Sequence, residues 1–337
     1  MTPLDPALLG RLLAPPETAA PVDVVIDTDA ANEIDDQFAI VWALLRPDRL
    51  RVRALHAAPF SHGPRLLVDA GFLPEVERQN PSAARQRRIQ ANAVDHEEGM
   101  LRSAAECRRW AALCGSDVPV VDGARSVMAS PDEPVRCEAV DSLIALAHED
   151  REGPLHVLAI GAATNVSSAL LVDPSIRERI VVGWTAAYPT FWPHPNASFN
   201  MAQDLHAARL LFDSGVPHVY LPGYYVGEHL RTSRPELREH VQGKGALGDA
   251  LWDLATSSTW LPDEPGASKV IWDLVNVAWV LDPSWLSTHV VPSPRLTDDL
   301  RWADAGPDRH VVREATGVNR NAVWGDLFRV LDERARS

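Results

Sequence analysis

A chain of 337 residues with 46% hydrophobic and 23% charged residues is long enough to bury a large core, as in an α/β enzyme of one or two domains. Its formal net charge of −14 argues against a nucleic acid or an anionic membrane as a partner. No apolar run approaches the ~20 residues of a membrane-spanning helix. The three cysteines include no CxxC pair, which suits a reducing cytoplasm, so we expect a cytoplasmic protein.

An acidic segment follows the first predicted strand. The stretch from Val22 to Ile26 is too apolar for a half-exposed strand and indicates a parallel strand covered by helices on both faces. Five carboxylates follow within ten residues: Asp27, Asp29, Glu33, Asp35 and Asp36. They lie at the carboxyl end of the strand, where α/β sheets bind ligands, and without a bound cation they would repel one another. Hard oxygen donors favour Ca²⁺ or Mg²⁺, whereas capping of a helix explains only one or two of them.

Strand and helix alternate along the chain after this segment. Further strands are predicted at residues 52–58, 118–121, 155–160, 180–184 and 218–221, and helices at 35–45, 99–113, 138–148, 164–171 and 205–212. The alternation predicts an α/β fold with an open, mainly parallel sheet flanked by helices. From Pro235 onward the sequence is mostly typical of helices, so we expect a helical C-terminal part. No internal repeat or linker is found, and residues 1–337 are predicted to form a single domain.

Two segments stand outside this alternation. Residues 1–20 lack a basic region followed by an apolar core, so we predict an N-terminal extension that lies on the domain and no signal peptide. Residues 64–98 are rich in Arg, Gln, Asn and Ala and have weak periodicity. We interpret them as an excursion from the core or a flap.

Five sequence blocks occur in a fixed order along nearly the whole chain: IDTDAANEIDDQFAI, AIGAATN at 159–165, SFNMAQDLHAA at 198–208, IWDLVNVAWVLDP at 271–283 and VNRNAVWGDLF at 318–328. Together they resemble the inosine-uridine-preferring nucleoside hydrolases. The resemblance implies that fold, a bound Ca²⁺ and hydrolysis of the N-glycosidic bond of a ribonucleoside, which releases base and ribose. It also implies a homo-oligomer, since relatives are commonly dimers or tetramers.

The resemblance implies roles for individual residues. The ligands of Ca²⁺ would be three carboxylates and one backbone carbonyl: Asp29, Asp36, Asp273 and Ile160. Asp29 would also be the general base, Asp35 and Asp273 would hold the ribose 2′ and 3′ hydroxyls, and Asn200 would bind another sugar oxygen. Carboxylates around the sugar would stabilise an oxocarbenium-like transition state. Asp27 is interpreted as a buried structural carboxylate bonded to loop amides.

Other positions depart from the family's pattern. Trp272 stands where many members carry a histidine near the leaving base, and an indole can stack on a base but cannot protonate it. Ser198 replaces a glutamate that commonly holds the 5′ hydroxyl, and Trp192 replaces a frequent asparagine. The loop after Asp29 is about two residues longer than usual. We therefore predict a nonstandard or modified nucleoside, with Trp272, Trp192 and Ser198 among the substrate-binding residues.

Two questions remain open at the level of the sequence. The acid that assists the leaving base could be one of three loop histidines: His62, His194 and His229. Four aromatic residues could form a stacking wall for the base: Trp184, Tyr188, Phe191 and Trp192. The rival function is a member of the same fold that binds a nucleoside or ribose without hydrolysing it, or that has a structural role. The retained carboxylates favour the hydrolase, because a binder has no need of a site for metal and water.

Overall fold

The computed structural model of the protein describes residues 3–17, 20–62, 94–257, 260–306 and 308–336. Most of the segment at 64–98 interpreted as an excursion or flap therefore lies outside the described residues. Of its last residues, Val94 is buried and a helix begins at His96.

The described residues form strands that we number in chain order: β1 (Val22–Thr28), β2 (Leu50–Ala57), β3 (Val120–Val121), β4 (Leu155–Ala159), β5 (Ile180–Ala186), β6 (His218–Pro222), β7 (Arg231–Thr232), β8 (Lys269–Val270), β9 (Leu286–Pro292), β10 (Arg295–Leu296), β11 (Trp302–Ala303) and β12 (Val311–Val318). Within the described residues the main sheet has eight strands in the order β3-β2-β1-β4-β5-β6-β12-β9. All its neighbouring pairs are parallel except β12 and β9. This confirms the predicted open, mainly parallel sheet.

The α-helices of the described residues are numbered in the same way: α1 (Pro6–Leu12), α2 (Asp35–Leu44), α3 (His96–Cys114), α4 (Glu138–His148), α5 (Thr164–Val172), α6 (Phe199–Gln203), α7 (Leu205–Asp213), α8 (Arg234–His240), α9 (Gly245–Ser257), α10 (Leu274–Leu281) and α11 (Arg320–Arg336). The helix predicted at 138–148 coincides with α4. The helix predicted at 99–113 begins earlier, because Asp95 caps it by accepting a hydrogen bond from Glu98 N at 2.9 Å. None of these helices is both long enough and apolar enough to cross a membrane.

Strand β1 is buried on both faces, which explains why its sequence does not alternate between apolar and polar residues. Val24 and Ile26 pack in the apolar cluster that includes residues of α2, α10 and α11, whereas Val25 packs on the other face with residues of α4, α5 and α7. Because helices cover both faces, polar side chains of this strand can reach a ligand only at its carboxyl end.

The C-terminal part contains α8 to α11, as expected, but among the described residues it also forms β8 to β12, which were not predicted, and two of these strands belong to the main sheet. β12 pairs with β6, and β9 closes this side of the main sheet. Most side chains of β9 are exposed or half-buried, and β12 carries Arg313 and Glu314 in its middle. Neither strand is therefore a continuous apolar run, the pattern by which the buried parallel strands were identified.

Candidate active site

A cavity of about 150 Å³ opens at the carboxyl ends of β1, β4, β5 and β6. Nine residues singled out in the sequence line it: Asp29, Glu33, Asp35, Asp36, Ile160, Ser198, Asn200, Trp272 and Asp273. The cavity lies where an open α/β sheet is expected to bind its ligand. Residues that are far apart in the chain thus meet at one edge of the sheet.

The carboxylates of Asp29, Asp35 and Asp36 are positioned by the turn between β1 and α2. Asp35 and Asp36 are the first two residues of α2, where the helix dipole favours negative side chains. Thr28, the last residue of β1, donates a side-chain hydrogen bond to Asp36, and Asn32 donates one to Asp29 at 3.4 Å. The loop is therefore folded back on the strand end, and its carboxylates are directed into the cavity.

The late carboxylate, Asp273, is placed by the start of α10. It is the N-cap residue of this helix, and one turn later Asn276 ties the helix to the sheet. The Asn276 amide donates to Ala159 O at 3.1 Å and to Gly183 O at 3.0 Å. As a result, carboxylate oxygens of Asp35, Asp36 and Asp273 lie within 4.8 Å of one another, and all three residues are buried.

The electrostatics of this cluster favour a bound cation. Burial raises the pKa of Asp35 to about 6, against the nearby positive charge of Lys269. Burial and the neighbouring carboxylates also raise the pKa of Asp36 and of Asp273 well above the ordinary value. Buried carboxylates that repel one another in this way are stabilised in their ionised form by a divalent cation, and oxygen donors suit Ca²⁺ or Mg²⁺.

The backbone carbonyl of Ile160 lies at the same edge. Asn200 donates through its amide nitrogen to Ile160 O at 3.1 Å and to Thr185 O at 2.9 Å. A carbonyl oxygen has two lone pairs, so Ile160 O retains an acceptor position beside this hydrogen bond. Because its nitrogen is engaged by two carbonyls, the amide of Asn200 offers its oxygen as an acceptor to a ligand.

The other wall of the cavity is aromatic. Trp272 and Tyr224 both line it, with ring centroids 5.3 Å apart in a T-shaped arrangement. Tyr188 stacks on Tyr224 at 4.1 Å, and Trp192 stacks on Tyr188 at 4.5 Å. Trp192 is not among the residues that line the cavity in the described chain, so it reaches this wall through two intervening rings. Flat aromatic surfaces of this kind suit a planar base.

Trp184 is wrong as a member of the proposed stacking wall. Its ring is fully buried, belongs to the core beneath the sheet edge, and donates to Gly161 O at 3.0 Å. The three candidate histidines, His62, His194 and His229, are not among the described residues that line the cavity, and the last two are exposed. The structure therefore places none of these three histidines at the cavity wall, where an acid for the leaving base would stand.

Ser198 lies at the end of the cavity beside α6. It is the N-cap residue of this helix and accepts a hydrogen bond from Met201 N at 3.4 Å. Asp27, which does not line the cavity, is fully buried and accepts a hydrogen bond from the side-chain amide of Asn165 at 2.9 Å. A side-chain amide thus takes the place of the loop amides expected for Asp27.

Several lining residues were not singled out from the sequence: Asn32, Thr185, Gly223 and Tyr224. Thr185 belongs to β5, and Tyr224 follows two residues after the end of β6. Thr185 and Tyr224 could have been identified from the sequence, because residues at the carboxyl ends of parallel strands are expected to line the ligand site, as for Asp29. The contact between Glu33 and Lys269 had no comparable signal, because the two residues are 236 positions apart.

Comparison with known proteins agrees with this geometry. A family model described as inosine-uridine preferring nucleoside hydrolase matches residues 93–325. Similar curated proteins include a putative pyrimidine-specific ribonucleoside hydrolase RihB of Shigella boydii and a pyrimidine-specific ribonucleoside hydrolase RihB of Escherichia coli. Each is 26% identical over 156 residues, which are 44% of this chain and 61% and 47% of the respective relative. The match therefore spans about half the length of these relatives.

Solved structures share the fold over nearly the whole chain. A plant nucleoside hydrolase, PpNRh1, has a TM-score of 0.64 and 19% identity, covering 94% of this chain and 99% of its own. A purine-preferring ribonucleoside hydrolase from Gardnerella vaginalis has a TM-score of 0.63 and 18% identity, covering 93% and 99%. The family match over residues 93–325, together with this fold, shows that the chain belongs to the inosine-uridine preferring nucleoside hydrolase family.

Proposed function

We propose that the protein hydrolyses the N-glycosidic bond of a ribonucleoside in a Ca²⁺-dependent reaction that releases the base and ribose. The observation that carries this proposal is the cluster of Asp35, Asp36 and Asp273, whose oxygens lie within 4.8 Å of one another in the cavity. With Asp29 and Ile160 O at the same sheet edge, the donors are oxygens, as Ca²⁺ prefers. When bound, the ion would supply a water molecule of lowered pKa and electrostatic stabilisation.

The protein's own residues would then divide the work of the reaction. Asp29 is proposed as the general base that takes the proton from the attacking water. Asp35 and Asp273 would accept hydrogen bonds from the ribose 2′ and 3′ hydroxyls, and the Asn200 oxygen would accept another from the sugar. Because glycosidic cleavage builds positive charge on the sugar ring, these carboxylates also favour the transition state electrostatically.

We infer a nonstandard or modified nucleoside as the substrate. A serine at position 198 leaves more room at its end of the cavity than the glutamate expected there, and Trp272 with Tyr224 offers aromatic surface for the base. The curated relatives are named as pyrimidine-specific, so pyrimidine nucleosides belong in the comparison. Turnover of uridine, cytidine, inosine and 5′-modified analogues tests this inference, and equal or better turnover of plain inosine contradicts it.

The decisive experiment measures ribose release with and without a calcium chelator, for the wild type and for Asp29→Asn. We expect the chelator to abolish turnover and Asp29→Asn to lower it by roughly 10²–10⁴-fold, the usual contribution of a general base. Asp298→Asn is the matched control, because the Asp298 side chain is 92% exposed and pairs with Arg209. If the wild type binds nucleosides but releases no ribose from any of them, the protein is a binder and the hydrolase proposal is wrong.

Location and assembly belong to the same proposal. We infer a cytoplasmic protein, supported by Cys107, Cys114 and Cys137, which are all free thiols. We also infer a homo-oligomer, which sedimentation velocity at several protein concentrations would test.

A further inference from the structure

Lys269 is one of two lysines in the chain, and its side chain is buried beside the cavity. Its ammonium donates to Glu33 Oε2 at 2.6 Å, and 8% of the lysine and 18% of the glutamate side chain is exposed. Glu33 lines the cavity and belongs to the loop between Asp29 and Asp35. A buried ammonium is costly unless it is paired, so this contact fixes both side chains.

The same ammonium also faces two indole rings. It lies 5.3 Å from the ring centroid of Trp260 and 5.9 Å from that of Trp272. Both distances are within the range of cation–π attraction. Trp272 lines the cavity and directly precedes Asp273. The ammonium of Lys269 therefore contacts both Glu33, in the loop between Asp29 and Asp35, and Trp272.

The charge of Lys269 acts directly on the carboxylate cluster. Burial alone would lower the pKa of Lys269, but the negative charges of Asp35 and Glu33 raise it above its ordinary value, so the side chain stays an ammonium. In return its positive charge lowers the pKa of Asp35, against the larger effect of burial. The fixed positive charge of the Lys269 ammonium repels a divalent cation that approaches the same carboxylates.

We propose that Lys269 is a positioning residue with opposite effects on the two ligands of the site. Its ammonium holds Glu33 and Trp272 at the cavity wall and thereby strengthens substrate binding, while its charge weakens the binding of a divalent cation. This inference rests on the proposed function and adds a determinant of the affinities of that site. A merely structural role has a different signature, because loss of a structural residue weakens both kinds of binding.

The test compares Lys269→Met, Lys269→Arg and Lys244→Met with the wild type. Isothermal titration calorimetry of the metal-free protein with CaCl₂ gives the Ca²⁺ dissociation constant, and ribose release gives KM and kcat. For Lys269→Met we expect Ca²⁺ to bind on the order of tenfold more tightly because a like charge is removed. We also expect KM to rise by roughly fivefold or more, with a smaller change in kcat, as Trp272 and Glu33 lose their contact. Lys269→Arg keeps the charge and should keep Ca²⁺ affinity within about twofold.

Lys244→Met is the matched control, since Lys244 forms an ion pair with Asp332 at 2.8 Å away from the cavity, and it should change neither constant. If Lys269→Met does not fold, Glu33→Gln serves instead and should weaken Ca²⁺ binding while raising KM. Weaker or unchanged Ca²⁺ binding by Lys269→Met overturns the role of the charge, and an unchanged KM overturns the positioning role. If the wild type releases no ribose, the hydrolase proposal fails, whereas calorimetry with Ca²⁺ and with a nucleoside still decides on Lys269.

Discussion

Asp27 illustrates how burial sets the chemistry of one residue. Its carboxyl group is fully buried, and one oxygen accepts a hydrogen bond from Asn165, yet burial raises its pKa to about 7. Asp27 lies two residues before Asp29 on the same strand end, but it does not line the cavity. Because side chains alternate along a strand, Asp27 lies on the same face of β1 as Val25, between the sheet and the helix layer that contains α5. Its partner, Asn165, belongs to α5.

The raised pKa values predict how stability depends on pH when no divalent cation is bound. In the folded protein the pKa is about 7 for Asp27 and about 6 for Asp35, compared with 3.8 for an ordinary aspartate. Both groups therefore keep a proton on folding, and the stabilisation present below pH 3.8 is lost as the pH rises through 6 and 7. The free energy of unfolding should fall by about 4 kcal/mol between pH 5 and pH 8, because Asp27 loses its stabilisation over about two pH units and Asp35 over about one, at about 1.4 kcal/mol per unit.

Urea unfolding in the presence of a chelator at pH 5 and pH 8 measures this change. Asp27→Asn should flatten the dependence, whereas Asp298→Asn, on an exposed position, should leave it unaltered. A free energy of unfolding that is constant or rises over this interval contradicts the prediction.

At the scale of elements, the contact between α10 and the sheet decides whether the carboxylate of Asp273 lies close to those of Asp35 and Asp36. Asn276 is fully buried, donates to the carbonyls of Ala159 and Gly183, and is joined by the side chain of Thr185. These contacts fix the first turn of α10 over the end of β4 and the second half of β5. Asp273 is the N-cap of that turn, so its position depends on them.

Asn276→Ala should therefore disturb both stability and the ion site. Loss of the amide leaves two buried carbonyls without their donor, which costs about 2–4 kcal/mol of the free energy of unfolding. We expect the Ca²⁺ affinity to fall as well, because Asp273 is no longer held against Asp35 and Asp36. Urea unfolding and calorimetry measure the two effects. Asn319→Ala is the matched control: it removes the exposed cap of α11, which accepts from Ala322 N, and should leave Ca²⁺ affinity unchanged.

The elements also show what the sequence could and could not predict. β1, β4 and β6 were predictable because a strand buried on both faces is mostly apolar and does not alternate with polar residues. The interest of the carboxylates at the end of β1 follows from the rule that α/β sheets bind ligands at the carboxyl ends of their strands. β9 and β12 were not predictable, because an edge strand and its neighbour carry polar side chains. Trp184 and Trp192 looked equivalent in the sequence, and only packing distinguishes a core ring from one stacked in a loop.

At the scale of the whole molecule, a divalent cation should stabilise the folded chain, since the unfolded chain does not bring the three carboxylates together. At 100 times its dissociation constant, Ca²⁺ would add about 2.7 kcal/mol to the free energy of unfolding. For a chain of this size that corresponds to a rise in Tm of roughly 3–8 °C. Thermal unfolding followed by circular dichroism, with chelator and with CaCl₂, measures the shift.

The matched comparison uses Asp36→Asn, which removes one carboxylate of the cluster and should abolish most of the shift in Tm. A formal net charge of −14 allows weak, unspecific cation binding elsewhere, so a shift that persists in this variant would mean that the cluster is not where the stabilising ion binds.

The acidic cluster joins the start of α2 to the start of α10, and this separation along the chain has a consequence for biosynthesis. A nascent polypeptide that has left the ribosome only as far as α9 carries Asp35 and Asp36 but lacks Asp273. Such a chain lacks one of the proposed ligands of the ion, so the proposed Ca²⁺ would not act as an early template for folding. If the ion binds as proposed, its uptake would instead show that the last third of the polypeptide has docked on the first.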